Sequence, residues 1–289
     1  MVSRPATVLT VEPCSEFTAD GMQSERVQKF AKVWQQRRGL PLPECTIRVE
    51  SVAPQHVGLG SGTQLAMSVA TALHCASEIP LPTASELSRS VGRGHRSCIG
   101  SHGFFEGGLL FELGRESDEA FAEIEARVEL PEAWRVVQLR PRQQAGLSGH
   151  AELIAFDKLP AVPAEATNAL LNEVRENILP AAWDGNFLEF SESVYRYGLL
   201  AGECFTQVQG GPFANPTLDS WVQDIRGHGV AGVGQSSWGP SLFVLQETKD
   251  AAQDFVQWFH DEISSTTESH SIISTISNQG VKISEVASA

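Results

Sequence analysis

Residues 54–78 read PQHVGLGSGTQLAMSVATALHCASE, and the fold turns on this stretch. Gly58, Gly60 and Gly62 free the backbone for left-handed conformations and let its N–H groups approach a ligand closely. Ser61 and Gln64 have the spacing of a capping box, and Leu65, Val69 and Leu73 recur at the helical period. The spacing therefore predicts a glycine-rich loop that runs straight into a helix beginning at Ser61. Its unpaired first-turn N–H groups and positive dipole end point at the loop. Two readings are open: an anion site sized for a diphosphate or triphosphate, or a strand-to-helix turn that needs glycine for tightness alone. No Gly-Lys-Ser/Thr follows, so the Walker pattern is excluded.

Working outward, residues 5–12 and 46–52 alternate apolar and polar at period 2, as half-buried strands do. Between them Ser24 is expected to cap a helix whose Val27, Phe30 and Trp34 share a face and which stops at Gly39. A short helix is expected over 84–92. GGLLFEL, AEIEARVEL and WRVVQLRP then read as three successive antiparallel strands. Prolines at 141, 160 and 163 mark a junction near residue 160. Past it, 165–179 and 186–207 have helical spacing, with Leu171, Val174 and Ile178 on one face. A helix over about 217–226, a strand SLFVLQE, a helix AAQDFVQWFHDEI and two β-rich runs, SIISTIS and GVKISEV, complete the chain. Both halves, 1–160 and 161–289, are thus expected to be α+β domains.

The chain has 289 residues, 42% of them hydrophobic, enough for two domains with real cores. Its 21 Lys and Arg against 35 Asp and Glu give a net charge of −14, which argues against nucleic acid or an anionic membrane as partner. No apolar run is long enough for a bilayer and no signal peptide is visible, so a cytoplasmic protein is expected. Five scattered cysteines without CxxC spacing predict reduced thiols rather than a disulfide framework or a zinc site. An anion site in so acidic a chain has to be built locally. Arg89, Arg93, His95, Arg96 and His102 fall in one short segment, and Arg140 and Arg142 form a smaller group.

A second glycine-rich block, GVAGVGQSSWGP, occupies 229–240. Gly232 and Gly234 lead into Gln235, Ser236, Ser237 and Trp238, an amide, two hydroxyls and a large aromatic ring. That is a set suited to a phosphate, to ribose hydroxyls or to stacking on a ring.

These residues resemble a family. PQHVGLGSGTQ is similar to the phosphate loop of the GHMP kinase superfamily. VGRGHRSCIGSHGFFEGGLLFELG at 91–114, GLSGHAE at 146–152 and GVGQSSWGP at 232–240 are similar, in that order, to its beta-ribofuranosylaminobenzene 5'-phosphate (beta-RFAP) synthase branch. The resemblance implies an N-terminal domain of the ribosomal protein S5 domain 2 type and a ferredoxin-like C-terminal domain. It implies condensation of phosphoribosyl pyrophosphate with 4-aminobenzoate or 4-hydroxybenzoate, with loss of CO₂ and pyrophosphate, in tetrahydromethanopterin biosynthesis. It further implies Mg²⁺ and no organic cofactor; homodimerisation stays open.

On that resemblance Gly58, Leu59, Gly60, Ser61, Gly62, Thr63, Gln64 and Ser97, with Gly232, Gly234, Gln235, Ser236, Ser237 and Trp238, are expected to hold substrate. Arg93 and Arg96 are expected to clamp phosphate or carboxylate, because a guanidinium pairs bidentately with either. Glu106 and Glu152 are candidate Mg²⁺ ligands or proton acceptors, and His102 and His150 are weaker candidates. Two departures stand out. Residue 62 is Gly where the kinases usually have Ser, and the segment after Ile99 lacks the Ser-Gly-x-Asp of a kinase's catalytic aspartate. The family's Arg-x-His-x-Gly strand and Gly-Gly-x-Gly segment are not found. Residues 5–12 would then be a second strand whose natural frame continues upstream, and the 289-residue form is expected to be less active. An ATP-dependent small-molecule kinase and a non-catalytic binder of phosphorylated ligands are the alternatives.

Overall fold

The computed structural model describes residues 1–95, 97–115, 117, 120–142, 159–237, 239–264 and 268–285. The first half is organised by β3 (Cys45–Ser51), whose alternate residues Cys45, Ile47 and Val49 are buried. Strand β1 (Val8–Pro13) runs antiparallel to one side of it, and β2 (Thr18–Gly21) runs parallel to the other. β2 is too short and polar to announce itself by alternation. Helix α1 (Ser24–Arg38) packs Val27, Ala31 and Trp34 onto this sheet, and α2 (Ser61–Ala76) adds Leu65, Val69 and Leu73. All three α2 residues are fully buried, each contributing about 1.5–3 kcal/mol. Helix α3 (Ala84–Ser90) opens with a true capping box between Thr83 and Glu86.

Two caps differ from expectation. Gln23, in the left-handed region at φ 56°, precedes α1, so Ser24 is its first helical residue and caps nothing. The end at Gly39 is as expected, with φ 65°. Gly60, φ 65°, occupies the position before α2, so Ser61 and Gln64 do not form a capping box. Ser61 is buried in the first turn instead, and the Gln64 amide reaches across to donate to the Gly100 carbonyl at 3.0 Å. Residues 99–106 form a helix, α4 (Ile99–Glu106), that glycine content obscured. A methyl at Gly103 would collide with the Met1 side chain, whereas one at Gly100 would make only ordinary contact with Thr63.

The three strands expected in succession are present, but they do not form one sheet. β4 (Leu109–Glu112) and β5 (Ile124–Val128) make an antiparallel ribbon. β6 (Arg135–Pro141) leaves it for the interior of a four-stranded antiparallel sheet in the order β7-β8-β6-β9, with β7 (Val233–Gln235), β8 (Leu242–Gln246) and β9 (Ser269–Thr275). One face of that sheet packs Val137, Leu139, Leu242 and Val244 against Leu218, Trp221, Val222 and Ile225 of a helix over Pro216–Gly227 and Phe255 of a helix over Lys249–Trp258. The other face, with Val136 and Leu245, meets Val174, Ile178 and Phe190. Those residues come from a helical run, Ala164–Asp184, whose middle at Glu173–Ile178 is π-helical, and from the helix Phe187–Glu203.

The expected strand GVKISEV is absent: residues 280–285 have no regular structure. The chain there returns to the first half. Gly108 N–H donates to the Ser277 carbonyl at 2.7 Å, Val281 N–H to the Phe104 carbonyl at 2.6 Å, and the Asn278 amide pairs both ways with the Leu130 backbone. Near the other end, Val2 bridges Ile276 at the side of β9. Among the described residues β1 is paired on one side only, with Val8 and Val11 exposed. None of the five cysteines is in a disulfide. No helix among the described residues is long and apolar enough to cross a membrane.

Candidate active site

The start of α2 is where the two glycine-rich blocks meet. Gly58 is left-handed at φ 83°, and a methyl group there would lie 2.1 Å from the Ser236 carbonyl oxygen. A methyl at Gly239 would lie 2.3 Å from Gly58 N. The Ser236 hydroxyl donates to the Gly58 carbonyl at 2.7 Å. Only glycine permits this approach, so these positions serve contact between loops. Ser237, exposed at the tip, holds φ 53°, an uncommon strain for a serine.

The other residues of the second block are occupied by the fold. Gly232 and Gly234 lie in and beside β7, where side chains would strike Leu245, Ser191 and Phe243. Neither has positive φ, so their role is close packing rather than anion wrapping. The Gln235 carboxamide accepts from Ala214 N–H at 2.6 Å and donates to Gln209 and to the Ser237 carbonyl. It ties the 209–214 segment to the loop. Leu59 lines a narrow crevice with Pro54, Arg140, Ser241, His270 and Ile272 among its walls. His270 is held below the ordinary imidazole range by burial and by Arg140 and Arg142.

Arg93 is placed by its neighbours. Gly92 and Gly94, at φ 70° and 80°, flank it just after α3, and Arg93 N–H donates to the Ser88 carbonyl. The guanidinium lies over the Phe30 ring at 5.3 Å. Arg26 of α1 lies over the same ring at 5.7 Å. A methyl added at Gly62 would sit 3.1 Å from Arg93 Nη2 and 3.2 Å from Arg26 Nη2, so both guanidiniums converge on the first turn of α2. Burial lowers both pKa values, and the Arg26 charge lowers that of Arg93 further. Among the described residues neither makes an ion pair. Thr63 and Gln64 N–H bond back to the Gly60 carbonyl. Arg26 has no sequence signal: it sits in an ordinary first helical turn, and only folding brings it to Arg93.

Ser97 accepts from Ile99 N–H at 3.2 Å and stands at the mouth of α4. Glu112 anchors that helix by accepting Cys98 N–H at 2.8 Å, its carboxyl pushed up by burial. Glu106 is not brought to the site. It ends α4, six residues and about 9 Å of helical rise from Gly100, and faces His102 at 3.5 Å. His102 is engaged with the Ala122 carbonyl. Among the described residues no group of three His, Cys, Asp or Glu could hold a metal ion. Arg96, Trp238, Glu152 and His150 lie outside the described residues.

Residues 25–104 match the GHMP kinases N terminal domain. That stretch of the chain is thus similar to the N-terminal domain of GHMP kinases. Similar folds cover nearly all of it: homoserine kinase from Cytophaga hutchinsonii (TM-score 0.66, 15% identity, 96% of this chain and 89% of that one). Mevalonate pyrophosphate decarboxylase from Streptococcus pyogenes gives a TM-score of 0.67 at 14% identity, over 97% and 87%. At such identity these neighbours speak for the fold alone. In sequence the chain is similar to beta-ribofuranosylphenol 5'-phosphate synthase from Methanothermobacter thermautotrophicus, 30% identical over 70% of this chain and 63% of that protein. The Archaeoglobus fulgidus protein of the same name is 27% identical over 82% and 75%. The chain thus spans under two thirds of the first of these relatives.

Proposed function

We propose that this chain is a member of the GHMP kinase superfamily and a cytoplasmic beta-RFAP synthase, joining phosphoribosyl pyrophosphate to a 4-substituted benzoate with release of CO₂ and pyrophosphate. The observation that carries the reading is the meeting of both glycine-rich blocks beside Arg93 at the start of α2, in a chain similar to proteins named as synthases of a ribofuranosylphenol phosphate. That name favours 4-hydroxybenzoate over 4-aminobenzoate as acceptor.

The C1–O bond to diphosphate breaks, leaving an oxocarbenium-like C1. The Ser61 and Gly62 N–H groups of α2 and the Arg93 guanidinium take up the charge of the leaving group. The ring carbon bearing the carboxylate attacks C1, and that carboxylate departs as CO₂, returning its electron pair to the ring. The transfer needs no base to deprotonate the ring carbon, which agrees with Glu106 standing at the far end of α4. Positioning and exclusion of water from C1 are what remain for the enzyme, and the closed contact of the two loops serves both. The described residues do not form a magnesium cage. Mg²⁺ enters this reading on the substrate's diphosphate, as that ion commonly does, and no step is routed through it.

The test is CO₂ release from carboxyl-labelled 4-hydroxybenzoate and 4-aminobenzoate with phosphoribosyl pyrophosphate and Mg²⁺, with and without ATP. ATP-independent release supports the synthase. ATP consumption without CO₂ would replace it with the kinase reading, which Gly62 and the missing Ser-Gly-x-Asp disfavour.

A further inference from the structure

We infer that Arg26 is the second arm of a diphosphate clamp with Arg93, and that Gly62 is the residue that makes room for both. The inference rests on the synthase reading for the identity of the diphosphate, but it concerns only how that group is held.

The physical warrant is the arginine pair itself. Two guanidiniums converge on one point over Gly62, and both lean on the same Phe30 ring. They repel each other, and partial burial penalises each charge. The chain has acidic groups in excess, 35 against 21 basic, yet among the described residues none pairs with either arginine. Arg26 hydrogen-bonds Gln23, a neutral partner. The fold therefore holds two positive charges together without neutralising them, an arrangement that a polyanion relieves. Both side chains are half-buried, so a solute can reach them. A diphosphate offers two phosphoryl groups, each able to take a guanidinium fork. The first-turn N–H groups of α2 lie at the same place and add to the pair rather than define the site.

Gly62 is the enabling position. Its Cα faces the guanidinium nitrogens so closely that even a methyl would be tight at 3.1 and 3.2 Å. A serine, the usual residue of the kinases here, would put a hydroxyl where the forks converge.

The experiment is calorimetric titration of the full chain with inorganic pyrophosphate, for wild type, Arg26→Gln, Arg26→Lys and Gly62→Ser. Arg48→Gln serves as control, because Arg48 is exposed and paired with Asp20. Arg26→Gln is expected to weaken binding about tenfold to a hundredfold, the equivalent of one charge-assisted hydrogen bond. Arg26→Lys should recover part of the loss, Gly62→Ser should also weaken binding, and Arg48→Gln should not. Thermal melts establish that each variant is folded. Unchanged affinity in folded Arg26→Gln, or no pyrophosphate binding by wild type, overturns the clamp. Pyrophosphate binding through Arg26 without CO₂ release would leave the clamp standing and remove the synthase. CO₂ release by Arg26→Gln at the wild-type KM for phosphoribosyl pyrophosphate would do the reverse.

Discussion

Gly58 and Gly60 are two residues apart and both left-handed, at φ 83° and 65°, yet alanine should be tolerated very differently at the two. Any L-residue in that region costs about 1–2 kcal/mol. At Gly60 no atom of the described residues lies within 4 Å of an added methyl, so Gly60→Ala should cost that amount alone. At Gly58 the methyl would stand 2.1 Å from the Ser236 carbonyl oxygen and 3.2 Å from the Gly239 Cα, both backbone. One of the two loops must retreat, and the Ser236 hydroxyl bond to Gly58, worth about 0.5–1.5 kcal/mol, goes with it. Adding modest backbone strain, Gly58→Ala should cost about 3–4 kcal/mol. With about 2–4 °C of Tm per kcal/mol in larger domains, scanning calorimetry should separate the variants clearly. Gly58→Ala should also lose affinity for phosphoribosyl pyrophosphate by more than Gly60→Ala. Equal Tm shifts would refute the reasoning, because they would mean that the loops do not bear on each other through Gly58.

His74 is fully buried, its Nδ1–H donating to the Ala70 carbonyl and its Nε2 without a partner among the described residues, and burial holds its pKa below the ordinary 6.5. A base depressed in the folded state stays neutral there while the unfolded chain takes up a proton. Its stability contribution is therefore whole above about pH 6.5 and lost as the pH falls toward the folded pKa. Urea midpoints should drop between pH 7.5 and 5.5, less steeply in His74→Leu, and parallel profiles would discount the residue. Gln235→Leu strands the Ala214 N–H and should cost about 1–3 kcal/mol. Hydrogen exchange over 209–214 should rise, and unchanged protection there would count against the tie.

The loop at 58–62, the helix behind it and strand β3 were legible because each is written locally, in glycine spacing, a helical stripe and strict alternation. Val27 and Trp34 went to the core as their period requires. Phe30, on the same stripe, stayed half-buried because its ring carries two guanidiniums. What could not be read was long-range. Arg26 and Arg93 are joined only by the packing of α1 beside α2. β6 follows β5 closely, so sequence proximity suggested a ribbon of three, whereas its buried alternate faces need a helix layer on both sides. Gly232 and Gly234 looked like ligand-binding glycines because a sequence does not distinguish room for a phosphate from room for Phe243.

The return of residues 277–281 to the first half bears on how the molecule is made. The carbonyl of Phe104 at the end of α4 and the N–H of Gly108 at the start of β4 find their partners in a segment more than 160 residues downstream. A ribosome adds about 5–20 residues per second, so these groups wait many seconds after α4 has emerged. During synthesis the first half therefore has an open seam beside β4, and it should resist proteolysis only once residues 277–281 are laid across it.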